Sequence, residues 1–137
     1  MRVKRRLLRH PLLIAIALCI GFGIVGADRV LFGLALGRTI ELGEIDVFIV
    51  NSILTSLPFL ALSFRQKQHV TPWIIGLVWS SWLAWGWLQK GVAYQRHPDG
   101  SGVDLGGALI MLFAPFFITA VCLAIDQLLN MRKANVG

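Results

Sequence analysis

The sequence predicts an all-α integral membrane protein, a bundle of four transmembrane helices formed by one domain over residues 1–137. Four long apolar stretches cover approximately residues 11–36, 47–64, 72–94 and 104–129. A helical crossing of a bilayer needs about 20 apolar residues. Charged residues make up 15% of the chain, whereas soluble domains carry about a quarter. We therefore expect the lipid bilayer to cover most of the apolar surface.

The distribution of charge predicts the orientation of the chain. Nine of the thirteen basic residues lie before the first stretch, between the second and third, or after the fourth: Arg2, Lys4, Arg5, Arg6, Arg9, Arg65, Lys67, Arg132 and Lys133. Six of the seven acidic residues lie on the opposite side: Asp28, Glu41, Glu44, Asp46, Asp99 and Asp104. The positive-inside rule then predicts that both termini are cytoplasmic.

The basic segments favour membrane lipid over nucleic acid as a partner. They are short and lack interleaved aromatic residues, and they would face anionic headgroups. The chain is similar in general appearance to small bacterial inner-membrane proteins, which implies a location in that membrane. This similarity implies no activity and assigns no functional residue.

The first apolar stretch is either a retained transmembrane helix or a signal peptide that is cleaved off. Its basic start and the small residues Val25-Gly26-Ala27 also fit a cleaved signal peptide. Because apolar character resumes at Val30, we expect a retained first helix.

Small residues at four-residue spacing predict where the helices pack. Ala15, Cys19, Gly23 and Ala27 form one such stripe on the first helix. Gly76, Ser80 and Ala84 form a second stripe on the third helix. Small side chains at this spacing allow another helix to approach closely.

Charged residues interrupt the apolar stretches at two places. Asp28 and Arg29 are predicted near the external boundary, as an interfacial anchor or ion pair, with a functional site as the alternative. Asp126 is predicted about one turn from the cytoplasmic end. There it would reach lipid headgroups or pair with Arg65, Lys67 or Arg132.

The second stretch is the most polar, and two interpretations of its polar face stay open. Its polar residues are Asn51, Ser52, Thr55 and Ser56. They could form hydrogen bonds between helices and to the carbonyls of their own helix. Alternatively, they could line a path for a solute. Pro58 is predicted to kink this helix, as is Pro115 in the fourth.

The third stretch contains all five tryptophans: Trp73, Trp79, Trp82, Trp85 and Trp87. Thr71 is predicted to cap this helix, as Asp46 is for the second helix and Ser101 with Asp104 for the fourth. Trp79 and Trp82 fall near the middle of the bilayer. We expect them to pack and to contact lipid, although contact with a bound pigment or quinone stays open.

The sequence predicts no catalytic, cofactor or metal site. His10, His69 and His97 lie outside the spans, which argues against haem between the helices. Cys19 and Cys122 lie inside spans as small apolar residues, and no Cys/His cluster has metal-ligand spacing. The glycines at 21, 23 and 26 match a dinucleotide fingerprint but lie in a membrane span rather than a βαβ unit. No serine, histidine and aspartate set is expected at one depth.

Three functions follow, in decreasing order of support from the sequence. The first is a non-enzymatic accessory or interaction subunit that packs against other membrane helices, in a hetero-complex or a homo-oligomer. The second is a small homo-oligomeric channel or carrier that uses the polar face of the second span. The third is an interfacial enzyme, for which the candidates are Asp28, Arg29, Glu41, Glu44 and Asp46.

Overall fold

The protein folds into four α-helices, as a computed structural model describes for residues 2–37, 45–65, 69–96 and 105–134. The helices are α1 (Arg2–Leu36), α2 (Ile45–Ser63), α3 (Val70–Arg96) and α4 (Leu105–Ala134). Of the described residues, 96% are helical and none is in a strand. The predicted all-α bundle of four helices is confirmed.

Three of the described helices are long and apolar enough to cross a membrane: His10–Leu36, Ile45–Ser63 and Leu112–Arg132. Between 17% and 28% of the residues in their apolar windows are buried inside the chain. Lipid or other helices must therefore cover the rest. The 27 residues of α3 extend about 40 Å, but serines, tryptophans, two glutamines, a lysine and an arginine dilute their apolar character. Its crossing stays a prediction.

The four helices form a ring in the order α1, α2, α4, α3. Among the described residues, α1 contacts α2 and α3, α4 contacts the same two helices, and α1 and α4 do not touch. Contacts such as His10 with Ser63 place α1 and α2 antiparallel. Arg96 with Ala35 places α1 and α3 parallel. The start of α1 and the end of α2 therefore lie at one end of the ring. The end of α1 and the start of α2 lie at the other end.

Two helices extend beyond their apolar stretches. Helix α1 begins at Arg2, before Pro11, and α4 continues past residue 129 to Ala134. The added residues are mostly arginine, lysine, leucine and methionine, which favour helix irrespective of apolarity. Helix α1 ends at Leu36. The next residue is Gly37, whose φ of +62° suits glycine and whose N–H donates to the Leu34 carbonyl at 3.2 Å.

The predicted caps of α2 and α3 lie inside the first turns of these helices. Asp46 follows the first residue of α2, and Thr71 follows the first residue of α3. Differences of one residue are within the usual uncertainty of helix ends. The predicted cap at Ser101 and Asp104 lies outside the described residues.

Helix α1 packs on α2 through a different face from the predicted one. Gly21 is buried, and a Cβ built on it would lie 2.6 Å from the Ser52 carbonyl oxygen and 2.9 Å from the Ser56 nitrogen. The neighbouring small side chains Ala17 and Val25 are buried too. This face lies two residues along from the predicted stripe, about 200° around the helix.

The stripe Ala15, Cys19, Gly23 and Ala27 is exposed in the described chain, and nothing lies within 4 Å of a Cβ built on Gly23. The expected packing through these residues is therefore not made inside the bundle. Contact of this stripe with another chain stays a prediction.

The second stripe does lie inside the bundle. Gly76 and Ser80 are buried and Ala84 is half-buried. A Cβ on Gly76 would lie 3.3 Å from a Phe59 ring carbon and 3.4 Å from the Cys122 sulfur. With Leu62, these side chains form a closely packed core where α2, α3 and α4 meet.

Candidate functional site

A cavity of about 440 Å³ lies between the four helices, towards the end of the ring where α1 ends and α2 begins. Its walls are formed within residues 25–32 of α1, 47–55 of α2, 80–91 of α3 and 112–118 of α4. This volume is within the range of small-molecule sites, about 300–1,000 Å³. By the predicted orientation, this is the external half of the bundle.

Most of the cavity wall is apolar. Its larger apolar side chains are Val25, Phe32, Leu54, Leu83, Trp87, Leu88, Leu112 and Ile118. Some of these are buried, such as Leu88 and Ile118, whereas Trp87 and Leu112 are about half exposed. The cavity therefore reaches from the interior to the surface of the described part of the chain.

Five polar or charged residues also line this cavity: Asp28, Arg29, Asn51, Thr55 and Ser80. Ser80 is 4% exposed. Among the described residues, no hydrogen bond involves the side chain of Asn51, Thr55 or Ser80, and the one ion pair within 4.0 Å joins Arg65 and Asp126. Asn51 is exposed and Thr55 is half-buried, and no buried side-chain oxygen or nitrogen of the described residues lacks a hydrogen-bond partner. These three polar groups therefore face open space, where they are available to a bound molecule.

Differences in packing explain why the cavity lies in this half of the bundle. In the other half, Phe59 fills the space against Gly76. In the cavity half, α3 presents the small residues Ser80 and Ala84, and no large side chain fills the space beside them. Phe32 packs instead against Gly91, where a Cβ would lie 3.0 Å from its ring.

The predicted polar face of α2 divides into two parts. Ser52 and Ser56 are fully buried, and their hydroxyls donate to the Phe48 and Ser52 carbonyls at 2.8 and 2.7 Å. Asn51 and Thr55 line the cavity instead. Ser52 and Ser56 therefore support packing against α1, and only Asn51 and Thr55 could contact a solute.

Asp28 and Arg29 also line the cavity, although the sequence suggests an interfacial anchor or ion pair for them. They lie eight and seven residues before the end of α1 at Leu36, about 11–12 Å along the helix axis. Both are half-buried, and neither makes an ion pair with a described residue. Charges at such depth are usually paired or functional.

A polar cluster lies at the opposite end of the bundle. Asp126 is 1% exposed and lies 3.9 Å from Arg65, which is one of its predicted partners. Asn130 donates to the Asp126 carboxylate at 3.3 Å, and its amide oxygen lies 3.1 Å from a His69 ring nitrogen. This cluster connects the end of α2 and the start of α3 to α4. Lys67 lies outside the described residues.

The same end also holds His10, whose ring lies 3.2 Å from the Ser63 carbonyl oxygen. Serine, histidine and aspartate therefore do share one end of the bundle, contrary to the expectation from the sequence. The Ser63 hydroxyl donates to the Leu60 carbonyl at 2.7 Å, so its proton is directed away from the histidines.

The mid-span tryptophans lie away from the cavity. Trp82 is 78% exposed, and Trp79 packs its ring against Phe117 with centroids 6.2 Å apart. Trp87 is the one tryptophan among the residues that line the cavity. Contact of Trp79 or Trp82 with lipid, or with a bound pigment or quinone, stays a prediction about the outer surface.

The sequence does not show that Ser80, Trp87, Asp28 and Arg29 lie around one space. Each has a structural interpretation when its own helix is considered alone. Only the relative rotation of the helices places them around one space. A signal was nevertheless present, because two adjacent charges interrupt an otherwise apolar helix.

No group of three or more potential metal ligands among His, Cys, Asp and Glu occurs in the described part of the chain. The chain matches no protein-family model, no curated protein and no solved structure. Its function must therefore be inferred from its own residues.

Proposed function

We propose that this protein is a small-molecule carrier of the bacterial inner membrane that binds its solute in the cavity. The observation that carries this proposal is the 440 Å³ space between all four helices, with Asp28, Arg29, Asn51, Thr55 and Ser80 in an otherwise apolar wall. A few polar groups in a largely apolar, concave site are typical of ligand-binding pockets.

The packing of the other half of the bundle supports a carrier rather than an open channel. In the half of the bundle without the cavity, Phe59, Leu62 and Cys122 are buried with almost no exposed surface. The pair of Arg65 with Asp126 connects α2 to α4 beyond this core. Passage to the other side of the membrane requires these contacts to separate, which is the behaviour of a carrier that exposes its site alternately to each side.

The test is whether the cavity holds a molecule from the native membrane. The protein is purified in mild detergent, and small molecules extracted from it are measured by mass spectrometry. Replacing Ala84, which lines the cavity, by tryptophan fills part of the space. Ala93→Trp is the matched control, because Ala93 is exposed on the same helix and outside the cavity.

We expect a molecule at near-stoichiometric amount in the wild-type protein and in Ala93→Trp, and its loss in Ala84→Trp. Equal amounts in both variants would place the molecule outside the cavity. Absence of any such molecule from all three proteins would contradict the proposal.

A second candidate function is an accessory or interaction subunit of a membrane complex. The specific observation in its favour is the stripe Ala15, Cys19, Gly23 and Ala27, which is exposed in the described chain, with nothing within 4 Å of a Cβ built on Gly23. Small residues at this spacing favour close helix contacts in membranes. A complex of fixed stoichiometry with another protein in native mass spectrometry, weakened by Gly23→Leu, would favour this function over the carrier.

A further inference from the structure

We infer that the cavity takes a small zwitterion with an apolar body, of the class of the apolar amino acids. This inference rests on the proposed function, because it concerns the ligand of the same cavity. It follows from the charges in the cavity wall, the unpaired hydrogen-bonding groups beside them and the composition of the remaining wall.

The charges in the wall select for a ligand that carries both signs. Asp28 and Arg29 are adjacent on α1 and both line the cavity. The Arg29 charge acts on Asp28, but the two charged groups are more than 4.0 Å apart, and neither forms an ion pair with another described residue. A cationic ligand would satisfy Asp28 but lie close to the Arg29 guanidinium. An anionic ligand would have the reverse difficulty. An ammonium and a carboxylate on one ligand satisfy both residues.

The neutral polar groups complete the hydrogen bonds of such a head group. The Asn51 amide and the Thr55 and Ser80 hydroxyls each can donate and accept, and none has a hydrogen bond within the described chain. The Ser80 residue is 4% exposed. Because no buried side-chain oxygen or nitrogen of the described residues lacks a hydrogen-bond partner, its hydroxyl reaches the open space of the cavity. A ligand in the cavity can therefore form a hydrogen bond with it.

The rest of the wall fits a compact apolar body. Phe32, Leu54, Leu83 and Trp87 surround the polar groups from three helices. The space of about 440 Å³ is at the small end of the range for small-molecule pockets. These features favour a ligand with a branched aliphatic or aromatic side chain over a purely polar solute.

The test compares a zwitterion with its two singly charged analogues. Binding of radiolabelled leucine to the full chain in lipid nanodiscs is measured by scintillation proximity, with unlabelled valine and phenylalanine as competitors. The analogues are 3-methylbutylamine, which lacks the carboxylate, and 4-methylpentanoate, which lacks the ammonium. We expect each analogue to compete at least about tenfold less well than leucine, the factor that one lost hydrogen bond to a charged group produces.

Three variants test the residues. Asp28→Asn and Arg29→Gln should each weaken leucine binding about tenfold or more, and Thr55→Val should weaken it less. Asp46→Asn and Arg132→Gln are the matched controls, because both residues are exposed and lie outside the cavity. These two variants should bind leucine as the wild-type protein does.

The possible results separate this inference from the proposed function. Competition by the amine or the acid as strong as that by leucine would overturn the zwitterion and identify a singly charged ligand. Failure of leucine, valine and phenylalanine to bind would overturn it too. If a native molecule is still lost from Ala84→Trp in that case, the proposed function stands with another ligand class; if no molecule is found, both fail.

Discussion

At the scale of single residues, two glycines in one helix have opposite environments. A Cβ on Gly21 would lie within 3 Å of the backbone of Ser52 and Ser56, whereas nothing lies within 4 Å of one on Gly23. The sequence shows that a close approach of another helix is possible on either face of α1. It does not show which face is used, because both contain small residues at four-residue spacing.

This difference gives a matched pair of substitutions. Gly21→Ala should destabilise the bundle by about 1–3 kcal/mol, because α1 and α2 must separate to admit the added methyl group. Gly23→Ala should be neutral or stabilise it by up to about 1 kcal/mol, since alanine favours helix over glycine. Thermal unfolding of the two variants in detergent, followed by circular dichroism, measures the difference. Equal stabilities would contradict the observed packing of α1 on α2.

At the scale of helices, the sequence predicts the apolar part of each helix well but not its full length. Helices α2 and α3 begin and end within two residues of their apolar stretches, 47–64 and 72–94. Helices α1 and α4 are longer, because charged residues such as Arg132 continue a helix as readily as leucine does. Apolarity reports on contact with lipid, whereas helix length depends on backbone propensity.

The two side chains of the ion pair between Arg65 and Asp126, which joins α2 to α4, differ in how much of their surface is exposed. The Arg65 side chain is 43% exposed, whereas that of Asp126 is 1% exposed. Removal of the guanidinium leaves a buried carboxylate with Asn130 as a remaining donor. Removal of the carboxylate leaves an arginine that water or headgroups can reach. The two single substitutions should therefore differ in their effect.

We expect Arg65→Gln to destabilise the bundle by about 1–3 kcal/mol and Asp126→Asn by less, about 1 kcal/mol or below. The double substitution should be less destabilising than the sum of the two, because it removes the uncompensated carboxylate. Unfolding free energies of the three variants in the same detergent give the coupling. The described ion pair would be contradicted if Asp126→Asn destabilised the bundle more than Arg65→Gln, or if the effects of the two single substitutions simply added in the double variant.

At the scale of the whole molecule, the chain separates a closed half from a half with a cavity. This division could not be predicted from the sequence. The lining residues come from all four helices, and each has an ordinary interpretation within its own helix. Asn51 and Thr55 were candidates for a solute path, but Ser80 appeared only as a packing residue. The rotation that brings these three together is a property of the assembled ring.

Which side of the membrane the cavity half faces depends on whether α3 crosses the bilayer. If all four helices cross, the end of α2 and the start of α3 face the cytoplasm, and the end of α3 and the cavity half of the bundle face outside. If α3 lies along the surface, both connections are on one side and the cavity has no defined exit. The excess of basic residues beside α1, α2 and α4 favours the first arrangement.

Labelling of single cysteines in intact cells decides between the two arrangements. Cys19→Ser and Cys122→Ser first remove the native thiols, and then Ser101→Cys or Gln66→Cys introduces one. A membrane-impermeant maleimide should label Ser101→Cys in intact cells, but Gln66→Cys only after the cells are opened. Labelling of neither cysteine before opening, or of both, would show that α3 does not cross. Without that crossing, α2 and α4 could not both span the bilayer and keep the contacts that they make to α3. The carrier proposal would then fail.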